Sequence, residues 1–176
     1  MTKKAVFLDR DGTIIVDYGY VHKPSQVELL PGIIEALVTL KKLDFELIII
    51  SNQSGIGRGY FTKKDVDLVN AHLQSLLKAH GIELSGIYYC PHSPDDRCDC
   101  RKPKPALILQ ALKDHGIDPK HSYFVGDKWT DVQAAIRAGV PPVLLSKEHT
   151  ISMNTIPVLI VDSLLEWTKL IDQGDM

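Results

Sequence analysis

Six short apolar runs recur along the chain, separated by segments with helical periodicity. The strand candidates are Ala5–Leu8, Leu47–Ile50, Ile87–Tyr89, Tyr123–Val125, Val143–Leu145 and Val158–Val161. Short runs rich in β-branched and aromatic residues predict buried strands. Because these runs alternate with helical segments, the pattern predicts an α/β fold in which a mostly parallel central sheet is covered on both faces.

The segments between the runs place apolar residues on one helical face. The helix candidates are 33–43, 66–77, 107–115 and 132–138. Thr62, with Asp65 three residues later, forms a capping-box pattern that predicts the start of the second helix. Gly81, Gly116 and Gly139 follow the last three segments, and glycine after a periodic segment predicts its C-terminal end.

Length and charge limit the classes of protein that this chain can belong to. The 176 residues suit a single domain over 1–176, and the segment between Thr13 and Pro31 leaves room for a short flap but for no separate cap domain. The net charge is −2 with both signs interspersed, which argues against nucleic-acid or anionic-membrane partners. No apolar run approaches the roughly 20 residues of a membrane helix, and Asp9 comes too early for a signal-peptide core. We expect a cytoplasmic monomer.

Two carboxylates follow the first strand candidate, in the sequence Asp9-Arg10-Asp11-Gly12-Thr13. Ligands of open parallel sheets bind at the carboxyl ends of the strands, and side chains two apart point to the same side. One carboxylate can bind a hard cation and attack phosphorus, while the other protonates the leaving oxygen and later activates water. A solvated turn is the alternative interpretation, since Asp and Gly are common in turns.

Polar donors follow the second strand candidate. Ser51-Asn52-Gln53-Ser54 offers hydroxyl and amide groups that suit phosphate oxygens, although such turns are common. The glycine-rich run over 55–59 lacks the spacing of a dinucleotide-binding loop. We expect it to form a mobile loop that carries Arg58 near the substrate.

An acidic residue also follows the fourth strand candidate. Asp127 would meet Asp9 at the end of the sheet as a second metal-binding carboxylate. Asp131, one helical turn later, would orient the site or serve as a first-turn acid. Arg101 and Lys102 supply cations, and without a lysine there the carboxylates and a phosphate dianion would exceed the charge of one Mg²⁺.

In their order along residues 5–131, these motifs resemble the four motifs of the haloacid dehalogenase superfamily. The resemblance implies a Rossmann-like three-layer sandwich and an aspartyl-phosphate intermediate. It makes Asp9 the nucleophile and a Mg²⁺ ligand, with Asp127 as the second carboxylate ligand. It makes Asp11 the general acid/base, whose backbone carbonyl also binds Mg²⁺. Ser51 and Lys102 would stabilise the transferring phosphoryl group.

All three cysteines fall in one loop, 90–100. With one histidine they form the pattern C-x-H-x₅-C-x-C, whose ligand candidates are Cys90, His92, Cys98 and Cys100. Three thiolates and one imidazole match a closed, structural zinc site. Unrelated buried thiols and a redox pair are the alternatives, but the surroundings are polar and a pair leaves one cysteine over. A clamped loop would also fix Arg101 and Lys102, which follow it directly.

The zinc loop and the flanking motifs resemble the D-glycero-D-manno-heptose-1,7-bisphosphate 7-phosphatase family, with zinc-bearing histidinol-phosphate phosphatases as close relatives. The resemblance implies hydrolysis of the C7 phosphate of a small sugar bisphosphate to heptose 1-phosphate, a step toward nucleotide-activated heptose for bacterial surface glycans such as the lipopolysaccharide core. The substrate contacts that it implies are Asp17, Tyr18, Gly19, Tyr20, Ser51, Asn52, Gln53, Ser54, Arg101, Lys102 and Lys128.

Two other functions stay open from the sequence. A histidinol-phosphate phosphatase would use the same residues, whereas a non-catalytic, zinc-stabilised phospho-binding module would have no role for Asp11. Among the other histidines, His22 lies where it could face substrate. The rest are expected to be solvated or to cap helices: His72, His80, His115, His121 and His149.

Overall fold

A six-stranded sheet lies at the centre of the computed structural model, which describes residues 3–147 and 158–174. The strands are β1 (Lys4–Leu8), β2 (Phe45–Asn52), β3 (Gly86–Cys90), β4 (Tyr123–Gly126), β5 (Pro142–Leu145) and β6 (Leu159–Val161). Their order is β3-β2-β1-β4-β5-β6, and every neighbouring pair is parallel. The six strand candidates are therefore confirmed. His149 lies outside the described residues.

In the described residues, helices follow every strand except β5, and they cover the sheet. They are α1 (Ile33–Lys42), α2 (Ser54–Gly57), α3 (Lys63–Lys78), α4 (Ala106–His115), α5 (Trp129–Ala138) and α6 (Leu164–Asp172). The predicted capping box is present at the start of α3, where the hydroxyl of Thr62 accepts a hydrogen bond from the amide of Asp65. This bond satisfies one of the backbone donors that every helix start leaves unpaired.

Alternation along the strands divides the interior into two apolar cores. In β1, Val6 and Leu8 face a core that also contains residues of α1, α3 and α6. Ala5 and Phe7 face the opposite core, which contains residues of α4 and α5. Successive side chains of a strand point to opposite faces, so a strand buried on both faces is apolar throughout. The fold is the predicted three-layer sandwich.

Two elements differ from the sequence analysis. Residues Ser54–Gly57 form the short helix α2, so the expectation of a loop over 55–59 is wrong for positions 55–57. Arg58 follows as the C-cap and is exposed. The helix α6 was not anticipated. It buries Trp167 completely in the first core, where the indole packs edge-on against Tyr123.

The segment 9–32 between β1 and α1 passes over the end of the sheet. It contains a 3₁₀ turn at Pro24–Gln26 and an isolated antiparallel bridge between Ile15 and Leu29. As far as the structure describes the chain, no separate cap domain is present, and no helix is long and apolar enough to cross a membrane.

Candidate active site

A cavity of about 350 Å³ opens where β1, β2 and β4 end. The residues predicted from sequence that line it are Asp9, Asp11, Asp17, Gly19, Tyr20, Asn52, Gln53, Ser54, Arg101, Lys102 and Lys128. Val21, Thr130 and Asp131 line it as well. Residues up to 122 positions apart in the sequence thus share one cavity because the parallel strands all end at this edge.

Four residues expected near the substrate are not among those that line the cavity. Tyr18 is 59% exposed, and its hydroxyl bonds to Glu28. The ring of His22 stacks on Phe61, with 5.2 Å between centroids. Arg58 does not line the cavity, and neither does Ser51, which is buried at the end of β2. The hydroxyl of Ser51 accepts a hydrogen bond from Gln53, so it lies one layer beneath the cavity wall.

Asp9 and Lys102 form a buried ion pair at the base of the cavity. Lys102 Nζ lies 3.0 Å from Asp9 Oδ1, which also accepts the Arg10 amide at 2.9 Å. The same ammonium lies 2.7 Å from Asp131 Oδ1 and donates to the Ile50 carbonyl. Burial opposes the charge of the lysine, but the two carboxylates outweigh it and raise the pKa of Lys102. Both of these contacts are to Oδ1 of Asp9, and neither involves Oδ2.

Asp131 has two roles at the start of α5. Its Oδ2 accepts the backbone amide of Lys128, which caps the helix, while its Oδ1 pairs with Lys102. A Cβ on Gly126 would lie 2.3 Å from Asp131 Oδ2, so glycine is required where β4 ends. The sequence offered two interpretations of Asp131. The contact with the Lys128 amide matches the acidic residue in the first turn of a helix, and the contact with Lys102 matches a carboxylate that orients the site.

Asp127 completes a cluster of carboxylates. One carboxylate oxygen from each of Asp9, Asp127 and Asp131 lies within 4.8 Å of the other two. Burial, together with the neighbouring charges of Asp9 and Asp131, raises the pKa of Asp127 to about 6 although Lys128 opposes the shift. Within the described part of the chain, no hydrogen-bond donor reaches the buried Oδ1 of Asp127. Such an oxygen is suited to a cation.

A glycine makes room for this carboxylate. Gly12 has a φ of +83°, and a Cβ at that position would lie 2.3 Å from Asp127 Oδ2. Any larger residue would therefore be strained in its backbone and would also displace Asp127. The turn after β1 and the carboxylate after β4 consequently depend on each other.

Asp11 is held by hydrogen bonds from the side chains of Arg10 and Gln53. The guanidinium of Arg10 donates from Nε to Oδ2 and from Nη2 to Oδ1, both at 3.1 Å. The Gln53 amide donates to Oδ2 at 3.0 Å. The side chains of Arg10 and Gln53 therefore fix the direction of the Asp11 carboxylate, a role for which neither was singled out in the sequence.

Asn52 anchors the segment that carries Lys102. Its Oδ1 accepts the Lys102 amide at 3.0 Å and its Nδ2 donates to the Lys102 carbonyl at 3.1 Å. By contrast, the Arg101 side chain has a 3.5 Å hydrogen bond to the His92 carbonyl. The lysine is thus held by hydrogen bonds to the end of β2, whereas the Arg101 side chain bonds to the cysteine loop.

The cysteine loop gathers its four ligand candidates in one place. The three Sγ–Sγ distances are 2.9 Å for Cys90–Cys100, 3.5 Å for Cys90–Cys98 and 3.7 Å for Cys98–Cys100. His92 Nδ1 lies 3.2 Å from Cys100 Sγ and 3.6 Å from Cys90 Sγ. Tetrahedral zinc, with Zn–S of about 2.3 Å, implies edges of roughly 3.5–3.8 Å. Three of the five distances lie in this range, and the two that involve Cys100 at 2.9 and 3.2 Å are shorter, so Cys100 would move outward to bind such an ion. None of the three cysteines forms a disulfide.

The chain is similar to known proteins over almost its full length. The D-glycero-beta-D-manno-heptose-1,7-bisphosphate 7-phosphatase of Helicobacter pylori strain J99 is 44% identical over 171 residues, which cover 96% of this chain and 98% of that protein. This chain belongs to that heptose-bisphosphate phosphatase family. The family member from Escherichia coli K12 is 46% identical over 143 residues, covering 77% of this chain and 75% of that protein.

Other comparisons place the family in its superfamily. A family model described as HAD-hydrolase-like matches residues 99–167. The crystal structure of the D,D-heptose 1,7-bisphosphate phosphatase from B. bronchiseptica, in complex with magnesium and phosphate, has a TM-score of 0.89 and 30% identity, and the match covers 97% of this chain and 99% of that one. The fold of the heptose-bisphosphate phosphatases is therefore the fold seen here.

Proposed function

We propose that this protein is a magnesium-dependent phosphatase that hydrolyses the C7 phosphate of D-glycero-D-manno-heptose 1,7-bisphosphate and leaves heptose 1-phosphate. The observation that carries the proposal is the convergence of Asp9, Asp11, Lys102 and Asp127 at one edge of the sheet. Relatives at 44% identity carry the name of this activity. The product would enter the synthesis of nucleotide-activated heptose in the cytoplasm.

The nucleophile in this mechanism is Asp9. Lys102 occupies Oδ1, so Oδ2 is the oxygen that attacks phosphorus and forms the aspartyl-phosphate. Lys102 also offsets the negative charge of the transferring phosphoryl group, in a buried position where fixed charge is most effective. Ser51, beneath the cavity wall, would support the same group through Gln53.

Asp11 would transfer the protons. It gives one to the leaving sugar oxygen as the P–O bond breaks, and then takes one from the water that attacks the aspartyl-phosphate and releases inorganic phosphate. Mg²⁺ would be held by Asp9, Asp127 and the backbone carbonyl of Asp11. When bound it offsets the charge of the phosphoryl oxygens.

The remaining polar groups of the cavity wall would bind the rest of the substrate. Arg101 and Lys128 are cations at the cavity, and Lys128 is paired with Asp17 at 3.2 Å. Asp17, Gly19 and Tyr20 from the segment after β1 and Asn52, Gln53 and Ser54 from the end of β2 line the same cavity. Two cations that line a small cavity in addition to the buried Lys102 suit a substrate with two phosphates better than one with a single phosphate. We propose that the protein acts as a monomer.

Cys90, His92, Cys98 and Cys100 would hold a structural zinc ion. The four ligand atoms lie within 4.8 Å of one another, and soft thiolates select zinc where the oxygen cluster selects magnesium. The zinc would order the loop that carries Arg101, while catalysis stays with the carboxylates.

Phosphate release from a panel of esters tests the substrate. With Mg²⁺, we expect heptose 1,7-bisphosphate to have the highest kcat/KM, above both heptose 7-phosphate and histidinol phosphate, and to yield heptose 1-phosphate. Asp9→Asn is the control and should abolish turnover while the fold survives, because an amide neither attacks phosphorus nor carries charge. Preference for histidinol phosphate would refute the heptose assignment, and full activity of the Asp9 variant would refute the nucleophile.

A further inference from the structure

A polar residue interrupts the buried face of α3. The other buried residues of this helix are Val66, Val69, Leu73 and Leu77, yet Asn70 lies among them and is 6% exposed. Asparagine is a poor helix former, and burial of an amide is costly unless it is hydrogen-bonded. A leucine at position 70 would suit the helix and its core better. The buried asparagine is therefore expected to have a specific hydrogen-bond partner.

That partner is Arg10, the residue between the two catalytic carboxylates. Asn70 Oδ1 accepts a hydrogen bond from Arg10 Nη1 at 3.0 Å. Arg10 is fully buried, and its Nη2 also donates to the Val21 carbonyl and to Gln53 Oε1, both at 3.2 Å. Asn70 lies outside the cavity and touches none of the proposed reacting atoms.

The guanidinium links Asn70 to the acid/base group. Its Nε and Nη2 bond to the two oxygens of Asp11, and its Nη1 bonds to Asn70. Because a guanidinium is planar and rigid, an acceptor for Nη1 restricts the rotation of the whole group. The orientation of the Asp11 carboxylate therefore depends on a helix that does not reach the substrate.

We propose that Asn70 is a positioning residue for the Asp11 carboxylate and acts through Arg10, an inference that rests on the function proposed above. A general acid or base must lie within hydrogen-bond reach of the proton it transfers, and a small displacement reduces the rate steeply. Loss of the Asn70 acceptor should therefore impair the proton transfers and leave the attack of Asp9 on phosphorus intact.

Leaving-group dependence distinguishes this role from a structural one. A sugar alkoxide needs a proton from Asp11 to depart, whereas 4-nitrophenolate leaves without one. For Asn70→Leu we expect steady-state turnover of both the heptose bisphosphate and 4-nitrophenyl phosphate to fall by about tenfold or more, as partial loss of acid/base catalysis predicts. A stopped-flow burst of one nitrophenolate per enzyme should still be observed. Its rate should stay within about threefold of the wild-type rate, since the attack of Asp9 on this ester needs no proton from Asp11.

Three further variants control the test. Leu77→Ala opens a hole in the same core, seven residues farther along α3, and should slow the burst and the turnover equally or not at all. Asn70→Asp keeps an oxygen where Arg10 needs one and should restore the wild-type pattern. If Asn70→Leu does not fold, Asn70→Ser takes its place, since its hydroxyl is too short for Arg10 and can bond within the helix.

Each outcome decides a separate question. If the wild-type protein releases no phosphate from either ester, the proposed function fails and this inference fails with it. If Asp11→Asn releases one nitrophenolate per enzyme in a burst and then shows no further turnover, the proposed role of Asp11 in hydrolysis of the aspartyl-phosphate is supported. Should the Asn70 variants then slow burst and turnover in parallel, as Leu77→Ala would, Asn70 is only a structural residue and the inference is overturned.

Discussion

Lys102 shows how the site balances its charges at the scale of single residues. The ammonium is 2% exposed and lies between Asp9 and Asp131. Desolvation alone would favour a neutral lysine, but two carboxylates at 3.0 and 2.7 Å keep it charged. The lysine in turn offsets part of the negative charge that Asp9, Asp127 and Asp131 bring together.

Lys102→Met should separate the catalytic contribution of this charge from its structural contribution. Methionine fills a similar volume without charge, so turnover should fall at least about 100-fold. The Mg²⁺-free variant should lose roughly 3–5 kcal/mol in free energy of unfolding, because two buried carboxylates are left unpaired.

Urea unfolding with and without Mg²⁺ measures this effect. A divalent cation can replace part of the missing charge, so Mg²⁺ should stabilise the Lys102 variant more than it stabilises the wild-type protein. Equal stabilisation of both proteins would mean that Lys102 and the cation do not share the same carboxylates.

At the scale of elements, the helix α3 is defined by local signals at its ends and by distant contacts along its buried face. Thr62→Ala tests the local signal. Loss of the hydroxyl that accepts from the Asp65 amide should cost about 1 kcal/mol in free energy of unfolding. The control is Thr39→Ala in α1, whose hydroxyl bonds to the carbonyl one turn earlier, and it should change stability by less than about 0.5 kcal/mol. Similar losses in both variants would contradict a capping role.

The cysteine loop is the second element whose role can be tested. Cys100→Ser should lose zinc and release Arg101, whose 3.5 Å bond is to His92 within the same loop. Lys102 stays anchored by Asn52. We therefore expect KM for the bisphosphate to rise about tenfold, the cost of one charge-assisted hydrogen bond, with a smaller change in kcat.

Arg101→Ala is the matched variant for this experiment. It should reproduce the rise in KM while retaining the zinc, as metal analysis would show. If Cys100→Ser instead lowered kcat with KM unchanged, Lys102 would depend on the loop after all, as the adjacency of Cys100 to the two cations first suggests.

At the scale of the whole molecule, the fold gathers two groups of side chains that could hold metal ions of different chemistry. The thiolate and imidazole donors prefer zinc, and the carboxylates prefer a hard cation. Protein dialysed free of Mg²⁺ should therefore retain about one zinc per chain and regain activity when Mg²⁺ is added. An active, fully folded preparation without zinc would refute the assignment of the cysteine loop.

Much of the fold could be predicted from local sequence patterns. The six strands, the capped start of α3 and the gathering of the cysteines all follow from short-range signals. The short helix α2 was missed because its glycines disfavour a helix, and tertiary contacts overrode that preference. The helix α6 was missed although Ser163, three residues before Glu166, caps it in the usual way.

The sequence by itself determined which residues stand at strand ends and which thiols can meet, because side-chain periodicity and ligand spacing are local properties. Tertiary structure alone decided which distant side chains touch. Lys102 reaches Asp9 across 93 residues and Arg10 reaches Asn70 across 60, contacts that depend on strand order and helix packing. No local pattern encodes such pairs, because many chain paths share the same strands and helices, and only packing selects one of them.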